Sequence, residues 1–549
     1  MPAKPRSSRR ILVALILAAA LVYLFVDFRT YKQSEWSEEI KDKFYFADQG
    51  SKLLPSDWFV SLSVPAGDAR FTANLDRLGF IPPRHAFKQN PYNLPIGFAA
   101  HSEPDGQEWI GLTCAACHTG RVVMEDGRDI LIEGGQSLLD LDSFFAGMVH
   151  ALEASLTDEQ FAGFAQRVNE SAVKYGRKKV SNEDLRAAAT RRLKILQERL
   201  RYNTPTLSAG FGRVDAFGQI FNQVGFALHN PIEKLPPPDA PASYPFVWDT
   251  PKHKRVQWNG SAPNLGVQRS GSMLRNIGEV IGVFGEVRIE SESAGFLPKY
   301  ENSANHENLK LIEEWITSLA SPKWPGKIDL ALAAQGKDLY DKECASCHAV
   351  VDPSNTPVPT PVTMTPVADV QTDPVLATDF LKRTLAANAL TGKLTSANPR
   401  NLFQRFDAEA PASTLTVNAA VGARAFHTPP FLSSAVDAIR GAWEGLPTIA
   451  ELSAYKARPL NGVWATAPYL HNGSILTLWE VIVPKDRKPK FCVGTALYDS
   501  KLGGYMNDCN GRHSELDTTK AGNHNSGHTY GQDLKESQSW ALLEYLKTL

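Results

Sequence analysis

Two short motifs with the same spacing constrain this chain more than any other feature. Residues 114–118 read Cys-Ala-Ala-Cys-His, and residues 344–348 read Cys-Ala-Ser-Cys-His. Two thiols separated by two residues lie on one side of a helical turn, within reach of the two vinyl groups of one porphyrin. The histidine that follows can then bind the iron of that porphyrin. The chain is therefore expected to carry two covalently bound haem c groups.

The motifs assign the haem-binding residues directly. The predicted thioether and iron ligands are Cys114, Cys117 and His118 for the first haem, and Cys344, Cys347 and His348 for the second. A zinc ribbon also pairs two Cys-x-x-Cys elements, but it separates them by roughly 15–20 residues. Neither a ribbon nor a thioredoxin-like redox pair needs a histidine after each second cysteine, so the spacing favours haem.

The length of 549 residues gives each haem a domain of its own. The predicted divisions are residues 1–30 for a signal peptide or membrane anchor, 31–325 for an N-terminal haem domain and 326–549 for a C-terminal haem domain. Clustered prolines and mostly helical periodicity predict a mainly α fold with long irregular loops and minor β-hairpins. The formal net charge of −1 argues against nucleic acid as a partner.

Several helices can be placed by apolar periodicity. Expected helices cover residues 137–152, 158–175, 182–200, 308–319, 330–340 and 537–549, and residues 121–132 read as a hairpin that turns at Asp126-Gly127. The helix that precedes the second motif and the final helix form a pair. A cytochrome c fold packs two such helices across each other, so we expect this arrangement in the second domain.

The N-terminus has the pattern of an export signal. Four basic residues, the last of them Arg10, precede an apolar run from Ile11 to Val26. The absence of a clear cleavage site favours an uncleaved anchor in the inner membrane, with a removed signal peptide as the alternative. Either reading places the body of the protein in the bacterial periplasm.

Cys492 and Cys509 remain after the haem cysteines are assigned. They could form a disulfide, bind a metal as a pair, or stay free. Covalent haem is attached outside the bacterial cytoplasm, where thiols are oxidised, so a disulfide is favoured.

The sixth iron ligand decides whether a haem carries out chemistry or only passes electrons. The candidates in the second domain are His427, His471, His513, His524 and His528. His528 lies in a glycine-rich loop before the final helix and is the preferred ligand, with His471 as the alternative. The nearest candidates in the first domain have no supporting pattern; they are His101, His150, Met124 and Met148. The first haem is therefore expected to be five-coordinate or water-bound.

Three aromatic residues are candidates for an apolar pocket wall. Phe217 and Phe221 lie four residues apart between glycines, and Trp258 lies in a proline-rich loop. Ordinary core packing is the favoured alternative for the two phenylalanines.

Three stretches together resemble the dihaem cytochrome c peroxidase superfamily. They are Tyr-Lys-Ala-Arg-Pro-Leu-Asn-Gly-Val-Trp-Ala-Thr-Ala-Pro-Tyr-Leu-His-Asn-Gly-Ser at 455–474, the surroundings of the first motif at 111–120, and Gly-His-Thr-Tyr-Gly at 527–531. Within that superfamily they are most similar to the rubber oxygenase branch, which includes bacterial dihaem fatty-acid dioxygenases. The resemblance implies that His118 holds the reactive iron, whereas His348 and His528 hold an iron that conveys or stores electrons.

The predicted haems and the resemblance leave three possible activities from different classes. The favoured one is a dioxygenase that uses O2 at the first haem on a carbon–carbon double bond of an apolar substrate, such as an unsaturated fatty acid or a polyisoprene. The alternatives are a peroxidase that reduces H2O2 with electrons from a small donor cytochrome, and a pure electron-transfer cytochrome.

Overall fold

The computed structural model describes residues 30–31, 34–64, 69–264, 270–290, 299–352, 354, 356–357, 360, 362–395, 404–427, 453–511 and 513–549. The expected anchor or signal peptide lies almost wholly outside these ranges. Among the helices within them, none has the length and apolar character needed to cross a membrane.

The prediction of a mainly α fold is wrong. The described residues are about 41% helical and 17% strand, and their strands form small sheets. All of the described strands are two to five residues long. A period-two pattern needs a longer run before it can be read from sequence, so segments that look like irregular loops pair as strands.

The described helices lie in both halves of the chain. They are Glu38–Phe46, Ser56–Phe59, Leu141–Ser155, Asp158–Lys174, Asn182–Asn203, Ala216–Ala227, Ser270–Glu279, His306–Ser318, Leu330–Glu343, Val367–Val370, Val375–Lys382, Ala412–His427, Leu478–Ile482 and Glu536–Leu546.

The described strands pair antiparallel. The sheets are Thr30–Tyr31 with Thr356–Pro357, Leu54–Pro55 with Glu108–Leu112 and then Phe98–Ser102, Thr119–Val123 with Asp129–Glu133, Arg213–Val214 with Ala242–Ser243, Arg255–Val256 with Ala262–Pro263, Val287–Glu290 with Lys299–Asn302, Thr363–Pro366 with Ala454–Ala457, Thr384–Ala386 with Glu409–Pro411, Lys490–Val493 with Ser514–Asp517, and Tyr498–Asp499 with Gly504–Tyr505.

Local sequence signals succeeded where the periodic run was long. The helices expected at 158–175, 182–200 and 330–340 are confirmed, with ends that differ by a few residues. The hairpin after the first motif is also confirmed, since Thr119–Val123 pairs with Asp129–Glu133. Its turn contains Gly127 with a φ of 85°, a backbone conformation that glycine adopts without a steric penalty.

The helix before the second motif packs across the final helix, as predicted. A Cβ on Gly336 would lie only 1.9 Å from the carbonyl oxygen of Ala541, so glycine permits this close approach. One turn farther along, the rings of Tyr340 and Tyr545 lie 5.2 Å apart. The crossing fixes the end of Leu330–Glu343, and with it the position of the second motif.

The largest apolar core runs through both halves of the chain. It contains Ala115 from the first motif, Trp248 and Ile312 from the middle, and Trp464 and Leu542 from the C-terminal half. Such continuous packing holds the two motifs in a fixed relation, because close-packed interiors deform little.

Two candidate haem sites

The first motif begins on a short 3-10 turn at Cys114–Ala116. Thr113 caps this turn, because its side-chain oxygen accepts a hydrogen bond from the backbone N–H of Ala115 at 3.2 Å. The N–H groups of Cys117 and His118 both donate to the carbonyl of Cys114, at 3.3 and 3.0 Å. The turn therefore brings the two thiols and the imidazole together.

The second motif repeats this backbone pattern. The N–H groups of Cys347 and His348 donate to the carbonyl of Cys344, at 3.1 and 2.8 Å. The turn continues directly from Leu330–Glu343, since the N–H of Cys344 donates to the carbonyl of Tyr340 at 2.9 Å. Two segments far apart in sequence thus reach the same local geometry.

Each motif histidine is oriented by a backbone carbonyl. The Nδ1–H of His118 donates to the carbonyl of Pro245 at 2.8 Å, and the Nδ1–H of His348 donates to the carbonyl of Arg458 at 2.7 Å. A carbonyl can only accept, so this contact fixes the proton on Nδ1 and leaves Nε2 as a basic nitrogen. Metal-bound histidines in proteins are commonly held in this way.

Burial shifts the pKa values of the motif side chains. Burial lowers the pKa of His118 to about 4 and also lowers the pKa of His348. It raises the pKa of the Cys114 thiol to about 12 and also raises the pKa of the Cys117 thiol. Both imidazoles are therefore neutral at physiological pH, which is the protonation state that binds a metal.

We call the space beside His118 the first cavity. It encloses about 1250 Å³ without protein atoms, including its opening to solvent, and Cys114, Cys117 and His118 line it. Apolar side chains form much of the remaining wall, among them Leu141, Val214, Phe217, Ile312 and Leu376. Within the described part of the chain, no second histidine and no methionine lines this cavity.

We call the space beside His348 the second cavity. It encloses about 1630 Å³ on the same measure, and Cys344, Cys347, His348, His471 and His528 line it. The ring centres of His348 and His528 lie 6.1 Å apart. An imidazole nitrogen binds a metal at about 2 Å, so this separation leaves room for one metal ion between the two rings.

His528 reaches the second cavity on a loop whose backbone is fixed by hydrogen bonds from Arg487. The guanidinium of Arg487 donates to the carbonyls of Asn525, Gly527 and His528 at 2.7, 2.7 and 3.0 Å. Gly527 has a φ of 68°, and a Cβ there would lie 2.2 Å from the backbone of Gln371. These contacts fix the direction in which His528 leaves the loop.

The side chain of His528 lacks the partner that the motif histidines have. Its Nδ1 is buried, and it makes no hydrogen bond with the described residues. Burial, with a further effect from His348, lowers its pKa to about 3. A buried neutral imidazole that faces a second one is what two histidines would present if both held the iron of one haem.

The other predicted ligands have different surroundings. His471 lies against Tyr455, with ring centres 3.9 Å apart and planes at 20°, so stacking holds its ring. Nδ1 of His513 donates to the carbonyl of Asp508 at 2.6 Å, and Nδ1 of His524 donates to that of Thr518 at 3.1 Å. The side chain of His427 lies outside the described residues.

The first-domain alternatives do not line the first cavity. His101 contacts Glu103 at 2.8 Å, and His150 is exposed on Leu141–Ser155. Met124 and Met148 are buried in apolar clusters away from the cavity wall. Their positions agree with a single histidine in the first cavity.

The three predicted pocket aromatics differ in position. Phe217 and Trp258 line the first cavity. Phe221 lies behind Phe217, with ring centres 6.1 Å apart, and packs in a core cluster with Phe380. The structure also joins Cys492 and Cys509 by a disulfide with a Cα–Cα distance of 5.3 Å.

Four side chains form a wall shared by both cavities: Phe246, Trp258, Lys456 and Arg458. The wall links the two motif histidines by a short series of bonds. The carbonyl of Pro245 accepts from His118, and the next carbonyl, that of Phe246, accepts from Nη2 of Arg458 at 2.6 Å. The carbonyl of Arg458 then accepts from His348.

Sequence reasoning missed these linking groups. The carbonyls of Pro245 and Arg458 leave no trace, since every residue has a carbonyl. Lys456 and Arg458 did offer a signal, because they alternate with apolar residues at the end of Ala454–Ala457, where a strand turns them to one side. Arg487 is 38 to 41 residues away in sequence from the loop carbonyls that it contacts, so only the fold reveals its role.

The residues of both cavities fit covalent haem. Each cavity brings two cysteines and an oriented imidazole to one wall, and the second adds an imidazole whose buried Nδ1 is unpaired. Haem c needs this donor set: two thiols for its vinyl groups and nitrogen ligands for its iron.

One segment of the chain is similar to a known protein family, and two curated proteins are similar over longer stretches. Residues 454–492, which include Lys456, Arg458 and His471, match a family model described as RoxA-like, cytochrome c-like. An uncharacterized protein of Sinorhizobium fredii (strain NBRC 101917 / NGR234), y4iJ, is 29% identical over 595 aligned positions, covering 96% of this chain and 94% of the relative. A second, y4iM of the same organism, is 26% identical over 275 positions, covering 50% of this chain and 52% of the relative. The matched segment supports a RoxA-type cytochrome c family for this chain, and with it a covalently bound haem c.

Proposed function

We propose that this protein is a dihaem c-type dioxygenase of the rubber oxygenase branch, which also holds the dihaem fatty-acid dioxygenases. The first cavity would hold the reacting haem on Cys114, Cys117 and His118. The second would hold an electron-transfer haem on Cys344 and Cys347, with His348 and His528 as its two iron ligands. The substrates would be O2 and an apolar compound with a carbon–carbon double bond.

The observation that carries this proposal is the unequal distribution of histidines. The described wall of the first cavity contains one histidine, whereas the second cavity contains a facing pair. An iron with one protein ligand keeps a position for a small molecule, and an iron with two passes electrons. The asymmetry therefore supports a division of labour between reaction and electron transfer.

The protein supplies position and surroundings for that chemistry. When bound, haem supplies an iron that can react with O2 or exchange electrons. The carbonyl of Pro245 holds His118 with its Nε2 free, and Leu141, Phe217 and Leu376 supply an apolar part of the wall. An alkene makes no hydrogen bonds, so such a wall suits it.

The shared wall supports electron exchange between the two sites. His118 and His348 are joined through Pro245, Phe246 and Arg458 by three hydrogen bonds, the backbone of Phe246 and the side chain of Arg458. Burial shields this connection from water. We propose that it sets the rate at which an electron moves from one haem to the other.

We also propose the periplasm as the location. Covalent haem is attached outside the bacterial cytoplasm, and the Cys492–Cys509 disulfide is stable in an oxidising compartment.

Oxygen uptake tests the proposed function. The purified holoprotein should consume O2 when it is given oleate or polyisoprene, and both atoms of O2 should enter the carbonyl-containing products. The same preparation should oxidise a reduced small cytochrome only slowly when H2O2 is added. Rapid peroxide-dependent oxidation without alkene-dependent uptake would instead assign the protein as a peroxidase.

Carbon monoxide separates the dioxygenase from an electron carrier. The reduced holoprotein should bind one CO per chain, because only the first haem is expected to lack a sixth protein ligand. Failure to bind CO at either haem would assign the protein as an electron-transfer cytochrome. Haem content, measured from the denatured polypeptide, should be two per chain.

A further inference from the structure

Lys456 and Arg458 are charged side chains in the interior. They are 6% and 5% exposed, and both line the shared wall between the two cavities. A cation removed from water loses its hydration and is costly unless an anion or a set of polar groups replaces it. Their location therefore raises the question of what compensates them.

Their protein contacts are all with uncharged acceptors. Nζ of Lys456 donates to the carbonyl of Arg255 at 3.1 Å. Nη2 of Arg458 donates to the carbonyl of Phe246 at 2.6 Å and to Oγ1 of Thr250 at 3.1 Å. Nε of Arg458 is buried and makes no hydrogen bond with the described residues.

The nearby carboxylates belong to other cations. Asp249 lies 3.7 Å from Lys252, and its charge also acts on Arg458, although no direct ion pair joins them. Glu313 lies 2.7 Å from Arg275. Glu279 also lines the first cavity, where the charge of Arg275 acts on it. Within the described part of the chain, no carboxylate oxygen lies within ion-pair distance of Lys456 or Arg458.

We infer that Lys456 and Arg458 form a binding site for carboxylate groups at the wall between the cavities. Both cations face the spaces that a ligand would fill, and a guanidinium fork with a free Nε can donate two parallel hydrogen bonds to one carboxylate. This inference rests on the proposed function, because a haem in each cavity brings propionate carboxylates with it. A fatty-acid substrate in the first cavity would bring a carboxylate of its own.

The variant Lys456→Met tests the site in the holoprotein. Methionine keeps the length of the side chain and removes the charge. Lys485→Met is the matched control, since Lys485 is exposed on the surface of the same half of the chain. Three properties are measured for each variant: the thermal unfolding midpoint, the reduction potential of each haem, and the affinities for oleate and methyl oleate.

The sign of the stability change decides whether a carboxylate is present. Removing one partner of a buried ion pair destabilises a protein, whereas removing an uncompensated buried charge stabilises it. We expect Lys456→Met to lower the unfolding midpoint of the holoprotein by several degrees and Lys485→Met to leave it unchanged. A rise in the midpoint with Lys456→Met would overturn the inference.

The two possible sources of the carboxylate give different binding results. If haem propionates occupy the site, Lys456→Met lowers the potential of at least one haem, and the ratio of oleate to methyl oleate affinity stays as in the wild type. If the substrate carboxylate occupies it, the wild type prefers oleate by about tenfold or more, and the variant loses this preference. A variant that changes neither the potentials nor the preference would contradict both sources.

A second variant keeps the test decisive if Lys456→Met does not accumulate. Lys456→Arg retains the charge, so it should restore the haem content and potentials of the wild type if a carboxylate is bound there. If Lys456→Arg also fails to accumulate with haem, the position is sensitive to the shape of the side chain and not to its charge, and the inference would fail. A wild-type protein without haem would refute the proposed function instead.

Discussion

The two cavities begin from the same motif and differ in what faces it. Each motif folds into the same turn, and in each a carbonyl orients Nδ1 of the histidine. A second imidazole faces His348 across 6.1 Å, whereas the described wall beside His118 has many apolar side chains and no second histidine. The motif thus determines where a haem is attached, and the opposite wall determines whether its iron is open to a small molecule.

The strongest test of this contrast removes one haem at a time. The double variant Cys114→Ser, Cys117→Ser should lose one covalent haem and reduce alkene-dependent O2 uptake to background, because the open site is gone. The double variant Cys344→Ser, Cys347→Ser should also lose one haem, but it should keep measurable uptake, lowered by about tenfold or 1.4 kcal/mol of barrier. Mass spectrometry and an oxygen electrode give both results.

Equal loss of activity in the two cysteine variants would contradict the division of labour. Full activity without the first haem would reverse the assignment of the reacting site. Circular dichroism of both variants provides the control for folding, since haem also contributes to the core.

Replacing the facing imidazole should make the second site resemble the first. His528→Ala removes the ring that lies opposite His348, so the reduced protein should bind two CO per chain instead of one. His524→Gln is the matched control, because His524 is in the same loop and its ring contacts Thr518 instead of the cavity. A difference spectrum with CO measures the stoichiometry. An unchanged value of one for His528→Ala would exclude His528 as an iron ligand.

Loosening the loop that carries His528 should have the same kind of effect on CO binding as removing His528, but a smaller one. Arg487→Leu removes three hydrogen bonds to the carbonyls of Asn525, Gly527 and His528. Hydrogen bonds to a charged group contribute about 1.5–3 kcal/mol each, so the loop should leave its position part of the time. We expect partial CO binding at the second haem, with a stoichiometry between one and two.

The control for the loop variant is Lys485→Met, which removes an exposed charge nearby and should bind one CO. Arg487→Lys should fall between the wild type and Arg487→Leu, since a single ammonium cannot reach three carbonyls at once. If Arg487→Leu binds CO as the wild type does, the loop is held by its other contacts, such as that of the His528 N–H with the carbonyl of Val370 at 2.8 Å.

The sequence predicts the two motifs well and the cavity walls opposite them poorly. The motifs and the longer helices are local, so five residues sufficed to place Cys114, Cys117 and His118 on one turn. The lining of each cavity is not local, because Leu376 and Arg458 approach the first motif from the other half of the chain. Fold class failed for a related reason, since strands such as Arg213–Val214 and Ala242–Ser243 exist only through pairing across the fold.

The electron route through the shared wall should be sensitive to Arg458. Arg458→Lys keeps a positive charge but is too short to keep both the contact with Phe246 and the position of the charge. We expect electron exchange between the haems to slow by about tenfold, an effect of roughly 1.4 kcal/mol on the barrier. Flash photolysis of the CO complex of the half-reduced protein measures this rate. An unchanged rate would mean that electrons cross elsewhere, for example by way of Trp258, which lines both cavities.

The smallest effect on the haems is expected from the disulfide. The segment that Cys492 and Cys509 close contacts the hairpin after the first motif, because the carbonyl of Ala496 accepts from the N–H of Val123 at 2.7 Å. The hydroxyl of Tyr505 also donates to the carbonyl of Arg121 at 3.2 Å. The double variant Cys492→Ala, Cys509→Ala should lower the free energy of unfolding by about 3 kcal/mol, as expected for a loop of this length.

Loss of the disulfide should affect the first haem site more than the second, although Cys492 and Cys509 both belong to the C-terminal half. Hydrogen exchange should speed up in Thr119–Val123, which depends on the closed segment, and stay the same around His348, which is fixed by Leu330–Glu343 and Glu536–Leu546. Haem content and CO stoichiometry should not change. Faster exchange at both motifs would show that the disulfide stabilises the whole fold, and the first site would then have no special dependence on the segment that Cys492 and Cys509 close.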